Sequence, residues 1–210
     1  MADLQALTAA IEAGDRATAT RVTAEAIGDG ANPAAILEAM VAAMAEVGRR
    51  FQRNEAYVPE MLISARAMKE ATALLTPVLV GAGIRPAKTA VIGTIHGDLH
   101  DLGKNLVGMM WKGANIGVID LGTNVSPGRF AEAAKEHQAD LVGISALLTT
   151  TMIGMREAVA AIRSAGLPGV KVVVGGAPVT ADFASQIGAD AYAPDAATAV
   201  DVAKKLLDFS

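Results

Sequence analysis

Thr89-Ala90-Val91-Ile92-Gly93-Thr94-Ile95-His96-Gly97-Asp98-Leu99-His100-Asp101-Leu102-Gly103 passes from an apolar run into a glycine-flanked loop and on into a helix-like stretch. The solidly apolar run 89–95 predicts a strand buried on both faces, and 104–112 predicts the helix that follows it. The same rhythm repeats downstream. Apolar runs fall at 116–121, 141–145, 170–174 and, more weakly, 190–193, alternating with helical stretches at 127–136, 151–164, 181–187 and 195–207. Five such units predict an α/β fold, a doubly wound parallel five-stranded sheet of flavodoxin or Rossmann-like type. Ligands of these sheets bind beyond the carboxyl ends of the strands, where the strand order reverses, between the first and third strands in the flavodoxin-like order.

Three features converge on that edge. His100 lies in the loop after the first strand, Ser145 ends the third, and Gly175-Gly176 ends the fourth, where missing side chains let a bulky ligand approach the backbone. A histidine two residues after an aspartate can present one imidazole nitrogen outward while the carboxylate holds the other. That arrangement suits a metal ligand whose tautomer must be fixed.

The first part of the chain has a different period. Leu4, Leu7 and Ile11 fit a short helix, and Val22 and Ile27 a second that ends at 28–30. Asn32-Pro33 opens a third, with Ile36, Leu37, Met40, Val41, Met44 and Val47 on one face. Pro59 opens a fourth, striped by Met61, Leu62, Ala65, Met68, Thr72 and Leu75. Four such helices predict a four-helix bundle, and 81–88 reads as a linker. The expected domains are a helical cap at 1–85 and an α/β domain at 86–210.

Composition narrows the chemistry. With 52% hydrophobic and 19% charged residues the 210-residue chain is expected to be globular. A net charge of −4 without a basic block argues against nucleic acid or an anionic membrane as partner. No apolar run approaches the roughly 20 residues of a membrane span, and Met1-Ala2-Asp3-Leu4 lacks the features of a signal peptide, so a cytoplasmic protein is expected. The absence of cysteine excludes thiolate zinc, iron–sulfur and cysteine-nucleophile chemistry. Any metal is then held by histidine, by carboxylates or by a cofactor bringing its own ligands.

Asp98-Leu99-His100-Asp101-Leu102-Gly103, then 41 residues (104–144), Ser145-Ala146-Leu147, then 27 residues (148–174) and Gly175-Gly176 resembles the motif of cobalamin-binding proteins that use a protein histidine as lower cobalt ligand. Gly48-Arg49-Arg50-Phe51, Val58-Pro59-Glu60-Met61 and Ser64-Ala65-Arg66-Ala67-Met68-Lys69 resemble the four-helix cap of corrinoid methyltransferase systems. The likeness is closest to the small corrinoid proteins of methylamine, methanol and methoxyaromatic methyltransferase systems. The cobalamin-binding module of methionine synthase is similar.

The resemblance implies a non-catalytic methyl carrier of one-carbon metabolism, cycling cobalt between Co(I) and methyl-Co(III) on base-off, His-on cobalamin or a related corrinoid. Its loaded state would be methylcobalamin. His100 would ligate the metal, with Asp98 and Thr151 completing a ligand relay. Gly97, Leu99, Asp101 and Gly103 would line the nucleotide-tail pocket beside His100. Ser145, Leu147 and Thr149 would form a second wall, Gly175 and Gly176 a third, and Ala196 the last. Phe51 and Val58 would cover the methyl-bearing face of cobalt. Implied partners are a substrate-specific methyltransferase, a methyl-acceptor methyltransferase and a reductive activase.

Two other readings stand beside it: a cobalamin-dependent sensory or regulatory module, and the small subunit of an adenosylcobalamin mutase. The first would need an output element, and the first 30 residues carry neither a recognition helix nor a basic patch. The second would need a barrel partner and no helical cap. His96 reads as structural or pocket-lining, His137 as a solvated helix-end residue, and Trp111 as a packing residue.

Overall fold

The computed structural model describes residues 3–209; Met1, Ala2 and Ser210, the ends of the expected domains, lie outside the described residues. Two compact units emerge, one running to Pro86 and including Gly113–Asn115, the other formed by Ala87–Lys112 and the chain from Ile116 onward.

The helical unit holds α1 (Leu4–Glu12), α2 (Arg16–Gly28), α3 (Pro33–Gln52) and α4 (Val58–Gly81). Short polar caps start them. Asp3 accepts from the amides of Gln5 and Ala6, Asp15 from Thr18 and Asn32 from Ala34, each satisfying donors that a first helical turn leaves unpartnered. At α4 the Glu60 carboxylate turns back to accept from the Tyr57 amide at 3.0 Å. α2 packs on α4 and α1 on α3, burying Leu7, Ile11, Ile36, Met40, Met44, Met61 and Leu75 completely or nearly so. Leu62, Thr72 and Val41 are only half-buried, so the α3 and α4 stripes are narrower than the sequence suggests. α4 runs through Pro77 to Gly81, and β1 begins at Lys88. The expected linker 81–88 thus shrinks to 82–87. A proline inside a helix forfeits one backbone hydrogen bond, and Pro77 sits in the last turns, where least is lost.

The second unit alternates β1 (Lys88–Thr94), α5 (Leu102–Gly113), β2 (Ile116–Asp120), α6 (Pro127–Glu136), β3 (Leu141–Ser145), α7 (Met152–Ser164), β4 (Lys171–Gly175), α8 (Ala181–Gln186), β5 (Ala191–Ala193) and α9 (Ala196–Leu207). All five strands pair in parallel in the order β2-β1-β3-β4-β5. Successive side chains on a strand point to opposite faces, so each strand feeds two cores. Val91, Val142, Ile144, Val172 and Val174 join Phe130 of α6 and Met155, Val159 and Ile162 of α7. Ala90, Ile92, Leu141 and Val173 join Trp111 of α5 and Ala199, Ala203 and Leu207 of α9. Trp111 is a packing residue as expected, and its indole Nε1 donates to the Ala199 carbonyl at 3.0 Å. Among the described residues no helix is long and apolar enough to cross a membrane.

Candidate functional site

The register of the sheet aligns the ends of four strands. Thr94 pairs with Ser145, Ser145 with Gly175, and Gly175 with Ala193. The loops after β1, β3, β4 and β5 therefore leave the sheet at one level, with the order reversal between β1 and β3 among them. Every expected site residue of this unit lies in those loops or at their borders.

Asp98 is the hub. It is fully buried, and its carboxylate gathers donors from two loops. Oδ1 accepts from the His100 amide at 3.0 Å and from His100 Nδ1 at 2.7 Å. Oδ2 accepts from the amides of Leu147 at 2.7 Å and Leu148 at 3.3 Å, and from the Thr151 hydroxyl at 3.1 Å. Burial works to raise the pKa of this carboxyl; the backbone amides of His100 and Leu147, with the His100 ring and the Thr151 hydroxyl, outweigh it and hold the group well below the ordinary aspartate range. An ionised Asp98 makes Nδ1 of His100 the protonated nitrogen and leaves Nε2 as a lone-pair donor. The His100 side chain is 54% exposed, so that lone pair is accessible.

Thr151 differs from the simplest form of the expected relay. Its Oγ1 also lies 2.8 Å from the Leu148 carbonyl, and a hydroxyl has one proton to give. The proton is shared between Asp98 and that carbonyl. The hydroxyl is consequently not used to cap α7, whose N-cap position Thr151 occupies without a side-chain bond.

A folded-state pKa below the unfolded value means that Asp98 stabilises the fold fully above about pH 4, and that this contribution drains away as pH falls further. Acid titration of the apo-protein followed by circular dichroism is expected to show a steeper loss of stability below pH 4 than in Asp98→Asn. Equal slopes would contradict the hydrogen-bonded, ionised Asp98.

The remaining residues distribute as follows. Gly97, Leu99, Asp101 and Gly103 are exposed around His100, and Leu147 and Thr149 are exposed on the loop after β3. Ser145 is half-buried at the end of β3, and Ala196 is buried in the first turn of α9 behind its Asp195 cap. Gly175 and Gly176 serve the chain itself first. A Cβ on Gly175 would lie 2.8 Å from the Ala193 carbonyl oxygen, and one on Gly176 1.8 Å from that of Ala146. Phe51, at the end of α3, and Val58, at the start of α4, are half-buried on either side of the loop joining those helices. His96 is exposed, and His137 caps the end of α6.

Sequence reasoning named Leu99 and Leu147 as pocket-lining residues but missed the apolar fringe that they form with Leu102, Leu148 and Ile153. Leu99, Leu102, Leu147, Leu148 and Ile153 are large apolar side chains left 41–73% exposed on the two loops that meet at Asp98 and on the helices that follow them. Exposed apolar surface of this kind marks a binding surface. Among the described residues no three His, Asp or Glu side chains gather as a metal site.

Known proteins resemble this chain over both units. The B12 binding domain family matches residues 88–201, and a second B12 binding domain family matches residues 3–76. The chain is 42% identical over 208 residues to a dimethylamine corrinoid protein of Methanosarcina barkeri, spanning 97% of each. A cobalamin-binding protein from Desulfitobacterium hafniense superposes with a TM-score of 0.81 at 29% identity, covering 98% of this chain and 99% of the other. A chain of the methanol:cobalamin methyltransferase complex from Methanosarcina barkeri gives 0.88 at 26% identity, covering 99% of this chain and 80% of that one. With both units matched and near-complete relatives at this identity, the chain belongs to the B12-binding family of corrinoid proteins.

Proposed function

We propose that this protein binds cobalamin or a related corrinoid and carries a methyl group on its cobalt between two partner methyltransferases. The observation that carries the reading is the exposed His100 imidazole, fixed through Nδ1 by buried Asp98 and set in an exposed apolar fringe. That donor set fits a macrocyclic cofactor that fills the metal's equatorial positions and has apolar edges to bury. When bound, the corrinoid supplies a cobalt centre able to accept a methyl group and release it.

The chain's residues would orient and shield that centre. His100 Nε2 would ligate the cobalt, and Asp98 would hold the Nδ1 proton and raise the basicity of the ring. Thr151 would tune that carboxylate by giving or withholding its shared proton. Ser145, Leu147, Thr149, Gly175, Gly176 and Ala196, with Gly97, Leu99, Asp101 and Gly103, would line the tail pocket. Phe51 and Val58 would keep water from the reactive face. In this reading 1–85 is a cap domain and 86–210 the corrinoid-binding domain of a cytoplasmic protein. The chain would leave catalysis to its partners, a donor-specific and an acceptor-specific methyltransferase, with a reductive activase restoring the reduced cofactor.

The relatives' names favour a methylated amine as donor. Anaerobically reconstituted, reduced protein mixed with dimethylamine and a dimethylamine methyltransferase is expected to acquire the absorbance of methylated corrinoid within turnover times. Monomethylamine and methanol, each with its own methyltransferase, serve as comparisons. No methylation with any of the three pairs would overturn the carrier reading.

A further inference from the structure

The geometry points to Asn124 as a positioning residue for the His100 loop: it clamps that loop from the side opposite the Asp98 hydrogen bonds. The inference rests on the proposed role of His100 and adds a residue outside the ligand relay.

The segment between β2 and α6 follows β1 beyond its end. Leu121 N donates to Ile92 O, Thr94 N to Gly122 O, and Val125 N to Thr94 O, so residues 121–125 are held on the rising β1 backbone. Asn124 then bridges to the His100 loop twice. Its Oδ1 accepts from the Gly97 amide at 2.9 Å, and its own amide donates to the Asp98 carbonyl at 3.0 Å. The residue adopts φ +57°, which asparagine tolerates better than other side-chain-bearing residues. The Gly97 and Asp98 peptide groups are thus fixed by residue 124, while the Asp98 carboxylate is fixed by the loop after β3.

An ion pair between a buried lysine and an exposed aspartate anchors the same segment. Lys104, in the first turn of α5 and 2% exposed at its side chain, bonds both oxygens of Asp120 at 2.7 and 2.6 Å and Asn105 Oδ1 at 2.6 Å. Asp120 Oδ1 also accepts from Gly122 N at 2.9 Å. The buried Thr94 hydroxyl donates to the His100 carbonyl at 3.0 Å. The loop carrying His100 is therefore tied at Gly97 and Asp98 by Asn124, at His100 by Thr94, and at Lys104 by Asp120. Of the two peptide planes that flank the Asp98 Cα, the Ile95 carbonyl accepts from the N–H of one at 3.1 Å and the Asn124 backbone amide holds the carbonyl of the other, while Asn124 Oδ1 fixes the Gly97 N–H just before them. Removing the Asn124 side-chain amide should loosen the Asp98–His100 geometry without disturbing any core residue.

Asn124→Gly keeps the left-handed backbone and the residue 124 amide but deletes the acceptor for Gly97. Asn124→Asp keeps all three. In the apo-protein, imidazole proton–nitrogen spectra report the ratio of Nδ1–H to Nε2–H tautomers of His100. Loss of one hydrogen bond is expected to lower that ratio about five-fold in Asn124→Gly, with the thermal midpoint nearly kept, and to leave it unchanged in Asn124→Asp. In the protein loaded with Co(II) cobalamin, the fraction showing imidazole nitrogen splitting in its electron paramagnetic resonance spectrum should fall in parallel. An unchanged ratio in Asn124→Gly, or an equal fall in Asn124→Asp, overturns the clamp. Absence of nitrogen splitting in the unaltered protein overturns the ligand role of His100 instead, and the apo tautomer ratio still judges the clamp.

Discussion

His100→Ala, loaded with Co(II) cobalamin, is expected to lose imidazole nitrogen splitting completely while still retaining the cofactor. The two halves of that result have separate physical sources. The splitting needs a nitrogen lone pair on cobalt, and His100 Nε2 is the accessible one on the apolar fringe. Retention would rest on the proposed walls of the tail pocket, most of which (Ser145, Leu147, Thr149, Gly175, Gly176 and Ala196) lie outside the His100 loop, at the ends of β3, β4 and β5. Methyl transfer should fall by at least about 100-fold, the upper end of what removing a mere hydrogen-bond partner of a metal ligand costs. The fold should suffer little, because Asp98 keeps its bonds from the amides of residues 100, 147 and 148 and from Thr151. Loss of one charge-assisted bond at a half-exposed ring costs about 2 kcal/mol. Unchanged nitrogen splitting would sink the assignment of His100, whatever happened to the rate.

The success and the gaps of sequence reading here have definite causes. Strands of a helix-covered parallel sheet are written as continuous apolar runs, so β1, β3 and β4, and even the partly buried edge strand β2, were legible with their order of appearance. A histidine and aspartate two residues apart also belong to one loop, so their contact was legible too. Thr151 could be placed near Asp98 only through the resemblance, and its second acceptor, the Leu148 carbonyl, depends on the turn that starts α7. Asn124 and the Lys104–Asp120 pair leave almost no trace in the sequence. Their partners lie 27 and 16 residues away, and the contact distances depend on β2 running beside β1. α4 continues through Pro77, held by the packing of Leu75 and Leu79 in the bundle.

Gly176→Ala is expected to be the most damaging single methyl group in the α/β unit. The sequence suggests that Gly175-Gly176 makes room for a ligand, yet the backbone needs both glycines before any ligand binds. A Cβ on Gly176 would lie 1.8 Å from the Ala146 carbonyl oxygen, and its φ is +123°, where side-chain-bearing residues are strained. The obstacle is main chain and cannot rotate away. Ala146 is itself fixed, since its amide donates to the Gly175 carbonyl at 3.1 Å and it is fully buried. Relief therefore requires the ends of β3 and β4 to part, which breaks that bond and displaces the loop whose Leu147 amide holds Asp98. Strain and lost bonding together cost on the order of 4 kcal/mol, which in a chain of this size lowers the thermal midpoint by roughly 8–16 °C. Gly188→Ala provides the comparison. It also has a positive φ, +77°, but nothing lies within 4 Å of the new Cβ, so only the backbone strain of about 1 kcal/mol applies. Thermal unfolding of the two apo-variants separates the contributions. Equal midpoints would show that close approach to Ala146 does not govern this position, and that its glycine answers to the bound cofactor instead.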